Sequence, residues 1–280
     1  MDLLITKGNQ ETRLSSLGFY NIDIFDSSAS LSVNTRSVTG RNGFIYDGGT
    51  YTQKNVKVSA RVRVTSASAF MQLQDDVNAL LLDSDPFYVT KMYPNESDFY
   101  GFEVPGAKTG DIDLLNLPHT VWKYRWKVII NSTPEYTFLG KAGDWLKYDV
   151  SFALVTAEMP FGETKPKDIG LSGGAFGYAG TAEFSQLEYP YTVELTSSGT
   201  QSSFYLTIDG RKFTYTSNVA LKAGDKFLLT GIETTLNGNN VNNRTNYEYF
   251  ILKPNTAKKI TYTTDFIGSI RILGFKEVYR

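Results

Sequence analysis

Hydrophobic and polar residues change their spacing twice between residues 56 and 87. From Val56 to Val64, aliphatic and mostly cationic polar residues alternate, which predicts a strand with one apolar face. Apolar residues then recur at helical spacing and predict a helix over about residues 69–82. They are Phe70, Leu73, Val77, Leu80 and Leu81. Pro86 ends this helix because proline disfavours the α region for its predecessor, and strand-like sequence follows at Phe87. One helix thus interrupts a chain that otherwise has a β pattern.

Two longer alternating segments follow in the first half. One contains Trp122, Tyr124, Trp126, Val128 and Ile130, and the other contains Tyr148, Val150, Phe152 and Leu154. Both are typical of half-buried antiparallel strands. Trp122 and Trp126 are four residues apart and would share one strand face, so we expect both to be buried in the core.

Structure-breaking residues concentrate between residues 160 and 180. Two prolines and a series of glycines lie in this segment, which favours a linker or long loops. We therefore predict two domains, residues 1–160 and residues 161–280, with a linker over about residues 160–180. A chain of 280 residues is long enough for two domains of ordinary size.

The second half has the pattern of an all-β module. Short strands are predicted at residues 191–195, 204–208, 212–215, 226–229, 249–252, 259–262 and 270–273. Between two of them, Asp209 and Gly210 form a two-residue hairpin signal, because both residues tolerate positive φ angles. This spacing indicates a sandwich or jelly roll. The polar segment at residues 237–243 is a loop whose asparagines either contact a sugar or satisfy turn backbone, and the second interpretation is favoured.

Composition limits the classes of partner. The formal charge is −1, which removes the usual electrostatic reason for tight binding to nucleic acid or anionic membranes. The chain has no cysteine, so it can form neither disulfides nor thiolate metal sites. No apolar run has the length of a signal peptide or membrane span, and we expect a soluble protein that is not exported by a cleaved signal and does not insert into membranes. The glycosylation patterns at Asn95, Asn131 and Asn243 are then interpreted as chance.

Together, these patterns resemble the distal tail protein family of long-tailed bacteriophages that infect Gram-positive bacteria. In the first half, the resemblance rests on the strand at residues 56–64, the helix around residues 73–81, the hairpin region after it and a late strand that ends in residues 155–162. In the second half it rests on residues 206–210, the turn at residues 224–225 and residues 251–255. The resemblance implies a mainly β fold of the β-rich α+β type. An N-terminal β-sandwich-like domain that carries one helix would precede a galectin-like jelly-roll β-sandwich.

The resemblance also implies a structural role in the virion, at the tail tip, after assembly in the cytoplasm of the host bacterium. Members of the family form a hexameric ring that joins the tail tube protein to the tail-associated tip protein. The N-terminal domains line a channel through which DNA passes as transient cargo. The galectin-like domains project outward, where receptor-binding or other baseplate proteins attach. The implied protein is not an enzyme and uses no cofactor.

An enzyme is the first alternative, and the residues give it little support. His119 is the sole histidine, which excludes a multi-histidine metal site within one chain, and no Gly-x-Ser-x-Gly motif accompanies it. Glycoside hydrolysis needs only two carboxylates, but nothing singles out a pair. The pairs Asp75–Asp76 and Asp111–Asp113 are both expected to be solvated. Residues 170–180 lack the Gly-Lys-Ser/Thr ending of a phosphate-binding loop. We therefore predict no catalytic, cofactor-binding or metal-binding residues.

A carbohydrate-binding module or glycan-active β-sandwich protein is the second alternative. Tyrosine, phenylalanine and asparagine are plentiful in the second half, but the tryptophans, which are the best stacking platforms, are Trp122, Trp126 and Trp145, all in the first half. One further surface stays open at this stage. The cationic face of Lys57, Arg61 and Arg63 is either solvated, which is favoured, or a salt-bridged contact between subunits.

Overall fold

A computed structural model describes residues 1–95 and 118–280. The chain divides into two compact units, Met1–Gly162 and Glu163–Arg280. Strands dominate both units, and the described residues contain a single α-helix, α1 (Ala67–Leu81). The predicted mainly β fold class with one helix is confirmed.

The first unit is built on one large antiparallel sheet. Its strands are β1 (Asp2–Lys7), β2 (Gln10–Arg13), β3 (Phe19–Asp26), β6 (Asn55–Val64), β7 (Phe87–Pro94), β8 (His119–Val121), β9 (Trp126–Ala142) and β10 (Trp145–Thr156), and a 3₁₀ turn covers Leu14–Leu17. The order across the sheet is β2-β1-β7-β9-β10-β6-β3, with β8 paired to β7. Two further strands, β4 (Leu31–Arg36) and β5 (Ile45–Tyr51), pair with each other and with no other strand of the described residues.

Side-chain alternation along β6 separates the two faces of this sheet. Val56, Val58 and Val62 are fully buried, whereas the residues between them point to the other face. Strand β10 pairs with β6 over ten positions, so that Val150 lies opposite Ala60 and both join the core. The buried face can exclude water only if another element covers it.

Helix α1 packs on this buried face through Leu73, Val77 and Leu81. The helix begins after Ser66, whose hydroxyl accepts a hydrogen bond from the Ala69 backbone N–H at 3.1 Å. This N-cap satisfies a donor that has no partner within the helix. The start of the helix therefore lies two residues before the predicted position.

The alternating segment around Trp122 differs from its prediction. Strand β9 begins only at Trp126, which is 1% exposed, whereas Trp122 is 40% exposed. The residues between them join β8 to β9, and the Arg125 guanidinium lies over the Tyr88 ring at 3.7 Å. The prediction of core burial is right for Trp126 and wrong for Trp122. The alternation continues through a connection in which the chain leaves one strand and enters the next.

The second unit consists of strands apart from one 3₁₀ turn, Asn242–Arg244. Strand β11 (Gly162–Glu163) lies at the junction, and the others are β12 (Lys167–Gly170), β13 (Ala175–Gly177), β14 (Phe184–Ser185), β15 (Thr192–Ser197), β16 (Ser203–Ile208), β17 (Arg211–Thr216), β18 (Lys226–Leu229), β19 (Thr234–Leu236), β20 (Asn239–Asn240), β21 (Ile251–Leu252), β22 (Lys259–Thr264), β23 (Gly268–Phe275) and β24 (Val278–Tyr279). One sheet has the order β12-β23-β15-β18-β19-β20, another has the order β13-β22-β16-β17, and β14 pairs with β21. Every strand predicted in this half has a counterpart, and β21 is shorter than its prediction.

Two short strands lie in the glycine-rich segment after residue 162. Strand β12 pairs with β23, and β13 pairs with β22, so both belong to the second unit. Glycine disfavours a strand interior but does not prevent a short pairing at a sheet edge. The hairpin at Asp209 and Gly210 is confirmed, since their φ angles are 50° and 81° and they join β16 to β17.

The end of helix α1 offers a matched test of its packing. Leu81 is fully buried and the adjacent Leu82 is 45% exposed. We expect Leu81→Ala to lower the free energy of unfolding of the first unit by about 2–5 kcal/mol and Leu82→Ala to change it by less than about 0.5 kcal/mol. All three tryptophans lie in this unit, so urea titration followed by tryptophan fluorescence reports on it. Equal losses in the two variants would contradict this packing.

Candidate functional site

The hairpin of β4 and β5 stands apart from the large sheet and is here called the arm, residues 27–53. Its strands pair from Leu31 with Tyr51 to Arg36 with Ile45. Gly40 and Gly43 have φ angles of 80° and 81° in the segment that joins them, a conformation that favours glycine. Every residue from 31 to 44 is exposed.

The arm carries apolar side chains that are largely exposed among the described residues. Five of them are 45% to 72% exposed: Phe44, Tyr46, Leu31, Val33 and Val38. Tyr51 is 40% exposed, and its ring packs edge-on against Phe161 at 5.3 Å. A two-stranded hairpin alone is at best marginally stable in water, and a cluster of exposed apolar side chains typically marks an interaction surface. The arm is therefore the strongest candidate for a contact with another protein subunit.

The base of the arm is held firmly to the first unit. The Ser27 N–H donates to the Asn55 carbonyl at 2.9 Å, and the Ser30 N–H donates to the Gln53 carbonyl at 2.7 Å. The Asn55 N–H in turn donates to the Ser27 hydroxyl at 3.0 Å. These bonds hold the two ends of the arm together and fix the position at which the arm leaves the sheet.

A charged cluster lies at this base. Asp26 accepts from the ammonium groups of Lys54, at 3.0 Å, and Lys91. Both ammonium groups also lie over the Trp126 ring, at 5.1 Å and 5.5 Å from its centroid. Lys54 is only 6% exposed, and burial lowers the pKa of both lysines from the ordinary value. One carboxylate thus compensates two partly desolvated cations.

The helix-free face of the large sheet is a second candidate surface. It contains Lys57, Arg61 and Arg63, the cationic row predicted from the alternation of β6. Arg61 Nε lies 2.9 Å from Asp149 Oδ1 on the neighbouring strand, and the Arg63 guanidinium lies over the Trp145 ring at 4.9 Å. Two of the three cations therefore have partners within the chain. These contacts are made across strands of one sheet and do not require a second subunit.

This face has a broad depression with a volume of about 880 Å³. Acidic and basic groups both line it, including Asp23, Glu135 and Lys57, and Phe25 is 62% exposed at its margin. The mixture of charges gives no concentrated site for an anion or a cation.

The residues considered for chemistry are dispersed. His119 is half-buried in β8, and Asp75 and Asp76 lie on the exposed side of α1. Asp111 and Asp113, and most of the motif that begins at Asn95, lie outside the described residues. Among the residues that the structure describes, no three histidine or carboxylate side chains are arranged to hold a metal ion. In the same residues, no helix is long and apolar enough to cross a membrane.

Side chains of the asparagine-rich loop bond within the second unit. Asn237 Oδ1 accepts from the Lys226 N–H at 2.9 Å, and Asn242 Oδ1 accepts from the Thr234 N–H at 2.6 Å. These contacts favour the interpretation that the asparagines satisfy turn backbone.

The fold of this chain is similar to that of a solved phage protein. The chain aligns with the crystal structure of the SPP1 Dit protein, gp 19.1, described as a paradigm of the hub adsorption apparatus in phages that infect Gram-positive bacteria. The alignment covers 99% of each chain, with a TM-score of 0.63 and 12% sequence identity. The resemblance to distal tail proteins is thus confirmed at the level of the fold.

Two further solved structures align, both of the phage P2 baseplate in its activated conformation, with Ca and with Sr. They cover 99% of this chain and 97% of theirs, at 9% and 10% identity. Their TM-score is 0.38, and this similarity supports no inference. No family model and no curated protein matches the chain.

The charged cluster at the base of the arm can be tested by Asp26→Asn. The variant leaves two partly buried lysines without their carboxylate, and we expect a loss of about 1–3 kcal/mol in the free energy of unfolding at pH 7. Because the folded-state pKa of each lysine lies below its unfolded value, the folded state binds fewer protons, and this loss should shrink as pH rises towards 10.

The matched control is Asp149→Asn, which breaks the half-exposed ion pair with Arg61 and should cost less than about 1 kcal/mol. Urea titration with tryptophan fluorescence at pH 7 and pH 10 measures both variants. A loss for Asp26→Asn that does not change with pH would contradict the proposed compensation.

Proposed function

We propose that this chain is a structural subunit of the hub at the tip of a bacteriophage tail. The observation that carries the proposal is the likeness in fold along 99% of the chain to the SPP1 Dit protein, whose structure is described as a hub adsorption apparatus. In this proposal, the protein acts through assembly in the virion. It is not an enzyme and needs no cofactor.

The subunits form a hexameric ring in this proposal. The arm supports such an assembly because its exposed apolar side chains and its fixed base present one surface that another copy can cover. A contact between the arm and a different surface of the next copy is heterologous, and heterologous contacts close into rings when the rotation allows it. The number six and the open channel come from the resemblance to distal tail proteins.

The ring joins the tail tube protein on one side and the tail-associated tip protein on the other. DNA passes through the channel at infection, and the second unit serves receptor-binding or baseplate proteins. The near-neutral charge of the chain supports this role, because a strongly basic channel would bind phosphates and retard the passage of DNA. The subunits assemble in the host cytoplasm before they enter the virion.

The proposed ring can be tested by the oligomeric state. We expect the purified chain, alone or with its tail partners, to form particles with six times the 31.3 kDa mass of one subunit. Size exclusion with light scattering gives the mass, and electron micrographs of the same fraction should show rings with a central opening. A monomer that forms no ring even with the tube and tip proteins would refute the proposal.

The role of the arm in assembly can be tested by substitution. The double variant Phe44→Asp, Tyr46→Asp places two charges where we expect two aromatic rings to become buried between subunits. Burial of each ring should contribute about 1.5–3 kcal/mol to the free energy of association. We expect it to remain monomeric under conditions in which the unmodified chain assembles. Far-ultraviolet circular dichroism should show an unchanged fold, since neither side chain packs in the core.

The control for the arm variant is Val219→Asp, which changes a side chain that is 67% exposed in the second unit. This variant should assemble like the unmodified chain. If the arm variant forms normal rings, the arm is not required for assembly. The hub proposal would then be tested by the mass and the micrographs of the unmodified chain alone.

A further inference from the structure

The chain contains two Asn-Gly pairs, which lie in different surroundings. Asn42 and Gly43 are in the arm, whereas Asn237 and Gly238 join β19 to β20 in the second unit. All four residues are exposed, and the two glycines have nearly the same φ angle, 81° and 82°. The two pairs are thus alike in sequence, exposure and glycine conformation, and they differ in what holds the asparagine.

The side-chain amide of Asn237 is held at both of its polar atoms. Oδ1 accepts from the Lys226 N–H at 2.9 Å, and Nδ2 donates to Asp225 Oδ1 at 2.9 Å. The backbone N–H of Asn237 donates to the Lys226 carbonyl at 2.8 Å. The side chain of Asn237 therefore cannot turn towards Gly238 unless the two bonds of its amide break.

The side chain of Asn42 makes no hydrogen bond to any residue that the structure describes, and neither does the Gly43 N–H. The pairing of β4 with β5 ends at Arg36 and Ile45, so residues 37–44 lie outside the ladder. In this connection the Arg41 N–H donates to the Val38 carbonyl at 3.1 Å, which closes a turn just before Asn42. The amide of Asn42 is therefore free to rotate over the backbone nitrogen of Gly43.

An asparagine with this freedom can react with the backbone nitrogen of the next residue. That nitrogen loses its proton and attacks Cγ of the asparagine, so that an N–Cγ bond forms, the Cγ–Nδ2 bond breaks and Nδ2 leaves as ammonia. Water then opens the cyclic succinimide at one of its two carbonyls, which gives aspartate or, with one extra carbon in the backbone, isoaspartate. Glycine as the next residue favours the attack because it has no Cβ in the way and a permissive backbone.

We propose that Asn42 is a site of spontaneous deamidation in the folded chain and that Asn237 is protected by its hydrogen bonds. The reaction exchanges ammonia for water and needs no enzyme, metal or oxidant. It converts the amide of Asn42 into a carboxylate, and in part of the molecules it also lengthens the backbone at the tip of the arm.

This modification changes the surface that the arm offers to another subunit, a consequence that rests on the proposed role of the arm in assembly. The new carboxylate stands two residues before Phe44, whose ring is 72% exposed. A carboxylate beside that ring costs more to bury than an amide does. A subunit that stays unassembled should therefore lose its ability to join a ring as Asn42 reacts.

The test incubates the full chain at pH 6 and pH 9 and maps its tryptic peptides by mass spectrometry with time. In the folded chain, we expect Asn42 to react at least about fivefold faster than Asn237, because Asn237 must first break two hydrogen bonds. Both rates should be higher at pH 9, since the attacking nitrogen must lose a proton. In urea that unfolds the chain, Asn237 should react as fast as Asn42.

Two variants separate the effect of hydrogen bonding from that of sequence. Asp225→Ala removes the acceptor of Asn237 Nδ2 and should speed the reaction at Asn237 while the rate at Asn42 stays the same. Asn42→Gln keeps an amide at the tip of the arm, but its longer side chain does not form the succinimide. Size exclusion with light scattering should show that incubation lowers the yield of rings from the unmodified sequence and leaves the yield from Asn42→Gln unchanged.

The outcomes distinguish the site from its consequence. Equal rates at Asn42 and Asn237 in the folded chain, or no reaction at Asn42, would overturn the proposed site. Rings that form equally well from the incubated and the fresh chain would overturn the consequence for assembly. If the fresh chain forms no rings, the proposed ring fails, while the peptide map alone still decides whether Asn42 is the site.

Discussion

The first unit depends on one constraint, which is that the apolar face of β6 and β10 must be covered. The two strands pair over ten positions and place their aliphatic side chains on the same face, where α1 covers them. A shift of one residue in this pairing would turn every valine of β6 to solvent. Helix α1 covers one face of these two strands, and the other face carries mostly polar side chains. The two strands therefore have one buried face and one open face. The location of the arm follows from the same constraint, because its ends are tied where β3 stops and β6 begins.

Elements with a strong local signal could be predicted from the sequence. The alternation of β6, the helical spacing of Leu73 and Val77, and the hairpin at Asp209 and Gly210 each specify their structure within a few residues. Trp122 was predicted wrongly because alternation reports only on spacing, and the same spacing continues through a connection between strands. The short strands β12 and β13 could not be predicted, because their pairing with β23 and β22 is set by residues about 80 to 110 positions away.

The candidate sites were harder to predict for a physical reason. The arm has alternating apolar residues, such as Leu31 and Val33, and a glycine-containing connection, so a hairpin could have been inferred from them. That it pairs with no other strand of the described chain depends on tertiary structure, which local patterns do not contain.

In the second unit, the earliest strands after the junction pair with late ones. Strand β11 pairs with β24, β12 lies beside β23, and β13 lies beside β22, so the first and last strands of this unit are neighbours. A module with adjacent entry and exit points can be inserted into a surface loop of another protein without stretching its host. Such a unit keeps its buried residues together wherever it is placed, since Val193, Phe213 and Ile272 are buried within it.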